Sequence, residues 1–360
     1  MRSHGNNAVP PSPSTSMLVS AGRASSVATN VAQLKLLHHF QACTSRTLVF
    51  AVEAWEYALQ LCQHFDFLKD AILCVASRHL STLQPQDPTH RTAATNHLCR
   101  CLYVLRQELS KGFRSMHIDA FIATSILLQG EIWANTDCCM LQDDGSISFD
   151  PSRDQLFTFA ASVKRVFLKS VPPTTDQPSK FRSFVRSSPV GALETSAKVS
   201  NATLANYQET FSYSRPLNPE LLLVPLPYIR GMDLADLNPM SKLASMDRGC
   251  SDPIQDGYVP IVSRLCLILS FLPEADPPSS VSESALLAQL VRYVFLFPIS
   301  CYGHFATMIG RGDPHALLLL YHFYRAVRIL LPSEDCWWAH TRAALSEAAL
   351  KEWLLREHML

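Results

Sequence analysis

Apolar residues recur at intervals of three and four along most of this chain, the spacing that lines one face of an α-helix. Leu68, Ile72, Val75, Ala76 and Leu83 form one such stripe, and Pro85 and Pro88 end it by fixing φ and removing amide donors. Leu98, Leu102, Leu105 and Leu109 follow at offsets of zero, four, seven and eleven, and then Ile118, Phe121, Ile122, Ser125 and Ile132. Each stripe must meet another helix, and the short polar connections favour antiparallel neighbours, so these segments predict a three-helix nucleus.

The pattern breaks at the turn-rich Gln142 to Ser146 and resumes on one face with Leu156, Phe159, Ala160, Val163 and Phe167. From Val171 to Pro227, prolines, serines and weak periodicity predict a long flexible insertion with a short helix near Ala197 to Phe211. Helical spacing returns from Ile261 to Phe271 and from Ala285 to Phe297; Pro298 is expected to end the latter, with a restart through Ser300 to Ile309. Asp313 as N-cap with Pro314 at the first helical position opens the segment to Leu331. Met1 to about Asn30 is rich in Ser, Asn, Pro and Gly, which predicts a disordered tail over 1–30 before a single helical domain over 31–360. The fold class expected is all-α, a multi-helix orthogonal bundle with long loops.

Composition sharpens this. The chain has 360 residues, 48% of them hydrophobic, enough for a sizeable core; only 17% are charged and the formal net charge is zero, so no overall basic field is present to hold a phosphate backbone. Direct DNA binding by this chain alone is therefore not expected. Leu286 to Ile309 and Leu317 to Leu331 are apolar, but Arg292, Pro298 and His304 interrupt the first, and the second is too short and carries His322, Arg325 and Arg328, so both read as core helices and no membrane span is expected.

The opening Leu36 to Phe40, the segment Ala71 to Leu80 and the segment Ala94 to Leu109, in this order and spacing, resemble the regulatory domain of fungal zinc-binuclear-cluster transcription factors, in the sterol-uptake-regulator branch. The run at Gly312 to Arg328 and the tandem Trp337 and Trp338 resemble that family's closing pattern, and Arg230-Gly231, with Tyr228 in place of tryptophan, resemble an internal passage. The resemblance implies a helical domain in the nucleus that controls sterol or secondary-metabolite genes, holds a lipophilic ligand such as a sterol, and works beside another transcription factor or co-regulator. The family's cysteine cluster is not present in this sequence, which implies action through a partner or a truncated zinc-cluster factor. The alternatives are a stand-alone binding protein for an apolar small molecule and, further off, a helical biosynthetic enzyme; no Lys/Arg cluster supplies a nuclear signal, which leaves the cytoplasm as the alternative location.

Candidate chemistry is sparse. Eleven cysteines lie scattered through helical patterns; the pairs Cys138 and Cys139 and Cys99 and Cys101 suggest a metal or redox site, yet neither has Cys-x-x-Cys spacing or a second pair, so they read as buried or inert thiols, and His38 and His39 point about 100° apart on a helix. His315 and His322 share a face without a third ligand. Asp143 and Asp144 begin an acidic cluster that Ile147 fails to complete, and no nucleophile elbow or phosphate loop occurs, so neither catalysis, metal nor cofactor is expected. Arg311-Gly312-Asp313 and the sequon at Asn201 read as chance matches. The break at Pro298 marks the candidate apolar pocket: Phe295, Phe297, Phe305 and Met308 as its walls, Gly303 as open space, and Tyr302 and His304 as its polar groups. The resemblance implies a lipophilic pocket in the same C-terminal region.

Overall fold

A computed structural model describes residues 31–111, 118–143, 145–170, 181, 188–197, 253–272, 283–301 and 304–357. The chain is all-α, with one small hairpin. Residues 31–42 are helical (α1). Then come α2 (Val52–Leu61), α3 (Asp66–Leu83), α4 (Pro88–Ser110), α5 (Ile118–Ala134), strands β1 (Cys139–Leu141) and β2 (Ile147–Phe149), and α6 (Leu156–Ser170). After them stand α7 (Val190–Ala197), α8 (Pro253–Leu269), α9 (Glu283–Ser300), α10 (His304–Gly310), α11 (Pro314–Leu330) and α12 (Trp337–Arg356). No helix among the described residues is long and apolar enough to cross a membrane.

The expected three-helix nucleus is present: α3 packs along both α4 and α5. It buries Leu68, Ile72, Val75 and Ala76, while Leu83, past the last buried turn, is 60% exposed. Two buried polar pairs set its register. Asp70 holds the His97 Nδ1 at 2.8 Å, and Arg78 Nε donates to both oxygens of Glu131 at 3.0 and 3.1 Å. The α4 face differs from the leucine stripe expected. Its buried line is Ala94, His97 and Cys101, whereas Leu102 is 43% exposed. Small residues and the Asp70 partner let α4 approach α3 closely, and the leucines flank that seam.

Asp87 caps α4 by accepting from Thr89 N at 2.9 Å, with Pro88 in the first turn. Cys139 pairs with Phe149, Met140 with Ser148 and Leu141 with Ile147; Gly145 (φ 82°) makes the turn, so the predicted loop is the tip of a hairpin lying on α12. Within the expected flexible insertion, α7 buries Val190, Leu193 and Ala197, and Phe181 packs edge-on to Trp55 at 5.8 Å. These pieces belong to the core. The short helix expected near Ala197 to Phe211 falls, beyond Ala197, outside the described residues, as do the 1–30 tail, the passage at Tyr228, Arg230 and Gly231, and the sequon at Asn201.

Pro298 does not end its helix as expected. It sits in the last turn of α9, and Cys301 N donates to Phe297 O at 3.0 Å, so the hydrogen-bond ladder closes around the missing donor. At the other end of α10, Gly312 (φ 70°) donates to Ile309 O at 2.9 Å and Asp313 N to Met308 O at 3.0 Å, a left-handed glycine cap. Asp313 then caps α11 by accepting from His315 N and Ala316 N. The Arg311-Gly312-Asp313 tripeptide is thus the joint between two helices.

Candidate functional site

The four described apolar members of the sequence-derived pocket are buried, and they pack against one another's neighbours. Phe297 stacks on Phe323 at 4.4 Å; Phe157 meets Phe305 edge-on at 5.4 Å; Phe295 meets Trp338 edge-on at 5.2 Å; and Met308 belongs to the same core. Trp133 Nε1 donates to Phe295 O at 3.3 Å and ties α5 to α9. These rings fill the space between α5, α6, α9, α11 and α12. Tyr302 and Gly303 lie outside the described residues, as does the His304 side chain; the His304 backbone begins α10.

A buried polar group stands beside this aromatic cluster, and sequence reading missed it. Cys301 lies at the break after α9, Tyr293 Oη donates to Arg264 O of α8 at 3.4 Å, and Lys164 of α6 faces the same region. Burial first, then the Arg264 charge, pushes the Lys164 ammonium down to about 8, while burial pushes the Cys301 thiol up to about 12. Arg264 stands out in the apolar run of α8, the one signal that could have pointed here. Lys164 and Arg264 thus bring positive charge against a core that the aromatic rings fill.

The second assembly joins both ends of the described chain. His79, near the end of α3, stacks on Trp337 at 4.8 Å with planes 14° apart, and its other neighbour is His39 of α1 at 5.1 Å. Thr44 Oγ1 lies 3.0 Å from His79 Nδ1; Trp337 Nε1 donates to Thr47 Oγ1 at 2.9 Å, and Thr47 donates on to Thr44 O. Burial, aided by His39, pushes the His79 imidazole down to about 4, and burial lowers His39 in the same direction. His39 Nε2 is buried with no hydrogen-bond partner among the described residues. His38, adjacent in sequence, is exposed, as the 100° rotation between neighbouring helical positions requires. Protonation of His79 would place a charge between two rings and a threonine, so this junction is held by the neutral form.

The third assembly is a buried ion pair. Arg342 of α12 donates to Asp154, to Tyr324 Oη at 3.2 Å, and to the carbonyls of Ile132 (3.1 Å) and Asn135; Tyr324 Oη donates to the other Asp154 oxygen at 3.3 Å. Asp154 also accepts from Leu156 N at 2.9 Å and so starts α6. Four elements meet on one guanidinium, whose five donors suit that task. Beside it, Cys138 and Cys139 bring their sulfurs to 3.9 Å, and Cys139 Sγ lies 3.4 Å from Ser346 Oγ of α12.

Among the described residues, no group of three or more His, Cys, Asp or Glu stands close enough to hold a metal ion. His315 sits in the first turn of α11, and burial pushes His322, lower on the same helix, down to about 4. Asp143 lies in the hairpin turn, and Asp144 lies outside the described residues. A cleft of about 220 Å³ at the α3–α4 turn is lined by Ser81, Pro85, Gln86, Asp87, Pro88 and Arg91, below the size of an ordinary ligand pocket. Comparisons with protein-family models, with curated proteins and with solved structures found no match.

Proposed function

We propose that this chain is the regulatory domain of a transcription regulator of the kind it resembles, a helical unit that controls sterol or secondary-metabolite genes through a partner transcription factor or co-regulator rather than through its own DNA contacts. On this reading it works in the nucleus and carries no catalysis. One observation supports it above the others. Of the segments on which the resemblance rests, Leu36 to Phe40, Ala71 to Leu80 and the tandem Trp337 and Trp338 lie far apart in sequence yet meet at His39, His79 and Trp337, while Ala94 to Leu109 packs on α3 as α4. Phe40, next to His39, adds an edge-on contact to Trp55 at 6.1 Å.

The lipophilic ligand implied by the resemblance belongs to the same proposal. In this proposal the ligand parts the aromatic rings that fill the core, with its apolar body between them and its polar or anionic end toward Lys164, Arg264 and Cys301. The test is to tether the full chain to a heterologous DNA-binding domain upstream of a reporter. Transcription should change with the chain present and respond to sterol supply, and Trp337→Ala should weaken the response. A fusion that is expressed and folded yet leaves the reporter unchanged under every sterol condition overturns the proposal.

A further inference from the structure

Adjacent cysteines on an extended strand point to opposite faces, yet at the entry to β1 the chain turns through Asp137 and Cys138, and the sulfurs of Cys138 and Cys139 come to 3.9 Å. Three further features bear on what this pair can do. Cys138 is buried and Cys139 is partly exposed, so Cys139 is the more open of the two to an oxidant in water. Cys139 Sγ is held by Ser346 Oγ at 3.4 Å, which fixes its direction on α12. The Arg342 guanidinium lies near enough to act on both thiols.

We propose that Cys138 and Cys139 form a peroxide-sensitive dithiol that closes to an eight-membered vicinal disulfide and thereby releases the β1–β2 hairpin from α12. The Cys139 thiolate attacks one oxygen of hydrogen peroxide, the O–O bond breaks, and a proton completes the leaving water, giving a sulfenic acid at Cys139. The Cys138 thiol then attacks that sulfur; an S–S bond forms, the S–O bond breaks, and the hydroxyl leaves as water with the Cys138 proton. Two thiols are oxidised, one peroxide is reduced, and two waters result.

Electrostatics agree with this division of labour. The hydrogen bond from Cys138 lowers the Cys139 thiol to about 7, with Ser346 and Arg342 acting in the same direction against burial, and the same bond pushes Cys138 upward. Ring closure must bring the sulfurs from 3.9 Å to about 2 Å. That movement takes Cys139 Sγ away from Ser346. Both strands pack on α12, and Cys138 O accepts from Asp150 N at 2.8 Å to close the hairpin, so the strain is delivered to the hairpin's base.

The sequence makes the test clean, because no Lys or Arg occurs between Arg114 and Arg153 and the tryptic peptide 115–153 contains Cys138 and Cys139 and no other cysteine. The purified full chain is treated with graded hydrogen peroxide, alkylated, digested and weighed. The expected product is that peptide lighter by two hydrogens, unalkylated, and restored by a thiol reductant. Its formation should slow about tenfold from pH 8 to pH 6 as the thiolate is lost. Hydrogen exchange over β1 and β2 should rise on oxidation, and Cys138→Ser should give no ring and leave a sulfenic acid at Cys139 that a dimedone probe captures. The proposal is overturned if the peptide keeps two alkylatable thiols at peroxide levels that consume the exposed Cys43 and Cys99, or if it gains oxygen at Cys139 without closing the ring.

Discussion

Arg342 and Asp154, 188 residues apart in sequence, form an ion pair in which the two side chains are 2% and 0% exposed. Every oxygen of that carboxylate and every nitrogen of that guanidinium has a partner, because desolvating both charges is tolerable only when their hydrogen bonds are made. Arg342→Met should therefore cost about 3–5 kcal/mol in urea unfolding, by leaving Asp154 charged and buried. The double variant with Asp154→Asn should lose less than the sum of the two single losses. Additive losses would show that the two residues act separately.

His79 gives the fold a defined acid sensitivity. Its imidazole titrates near 6.5 in the unfolded chain and at about 4 in the folded one, so between those values the unfolded state binds a proton that the folded state refuses. Stability is therefore full above about pH 6.5 and falls as the pH falls through that window, at up to about 1.4 kcal/mol per pH unit for such a group. His322 adds to the effect in the same direction. Urea midpoints at pH 7 and pH 5 should show a smaller drop for His79→Gln than for the parent chain; an equal drop assigns the response to other groups.

On α4 the seam is made by small and polar residues, and the flanking leucines matter less. Leu102→Ser should change stability by no more than about 0.5 kcal/mol, whereas Ala94→Leu should cost about 1–3 kcal/mol by overpacking against α3. Thermal melts of the two variants rank these effects, and the reverse order would restore the leucine stripe as the contact.

Phe305 is a wall of the core, in edge-on contact with Phe157, so Phe305→Ala should cost about 3–5 kcal/mol whether or not a ligand is bound. Lys164→Met separates the two roles better. A sterol or comparable polycyclic ligand should raise the melting temperature of the parent chain in proportion to saturation, and this substitution should weaken the shift for a ligand with an anionic end while leaving the helices intact. A melting temperature that no lipophilic compound moves would leave the domain as a protein-interaction scaffold.

Much of the helical plan follows from the sequence alone, for a local reason. Periodicity of three to four, the breaks at Pro85 and Pro88 and the Asp313-Pro314 cap act within a few residues of themselves, so they mark α3, α4, α5 and α11 wherever the rest of the chain goes, whereas the Asp87 cap and the left-handed Gly312 were not read from the sequence. What periodicity could not decide is which face of a stripe is buried. On α4 that depended on the Asp70 carboxylate in the facing helix, and the seam moved from the leucines to Ala94, His97 and Cys101. Nor could it foresee strands three residues long, a proline tolerated in the last turn of α9, or α7 and Phe181 joining the core from a stretch of weak pattern. The meeting of His39, His79 and Trp337, the polar group around Lys164, and the Arg342 pair beside Cys138 and Cys139 were decided by tertiary structure alone. Burial and charge act across space, and residues hundreds of positions apart carry no local sign of the neighbour that will desolvate or pair them.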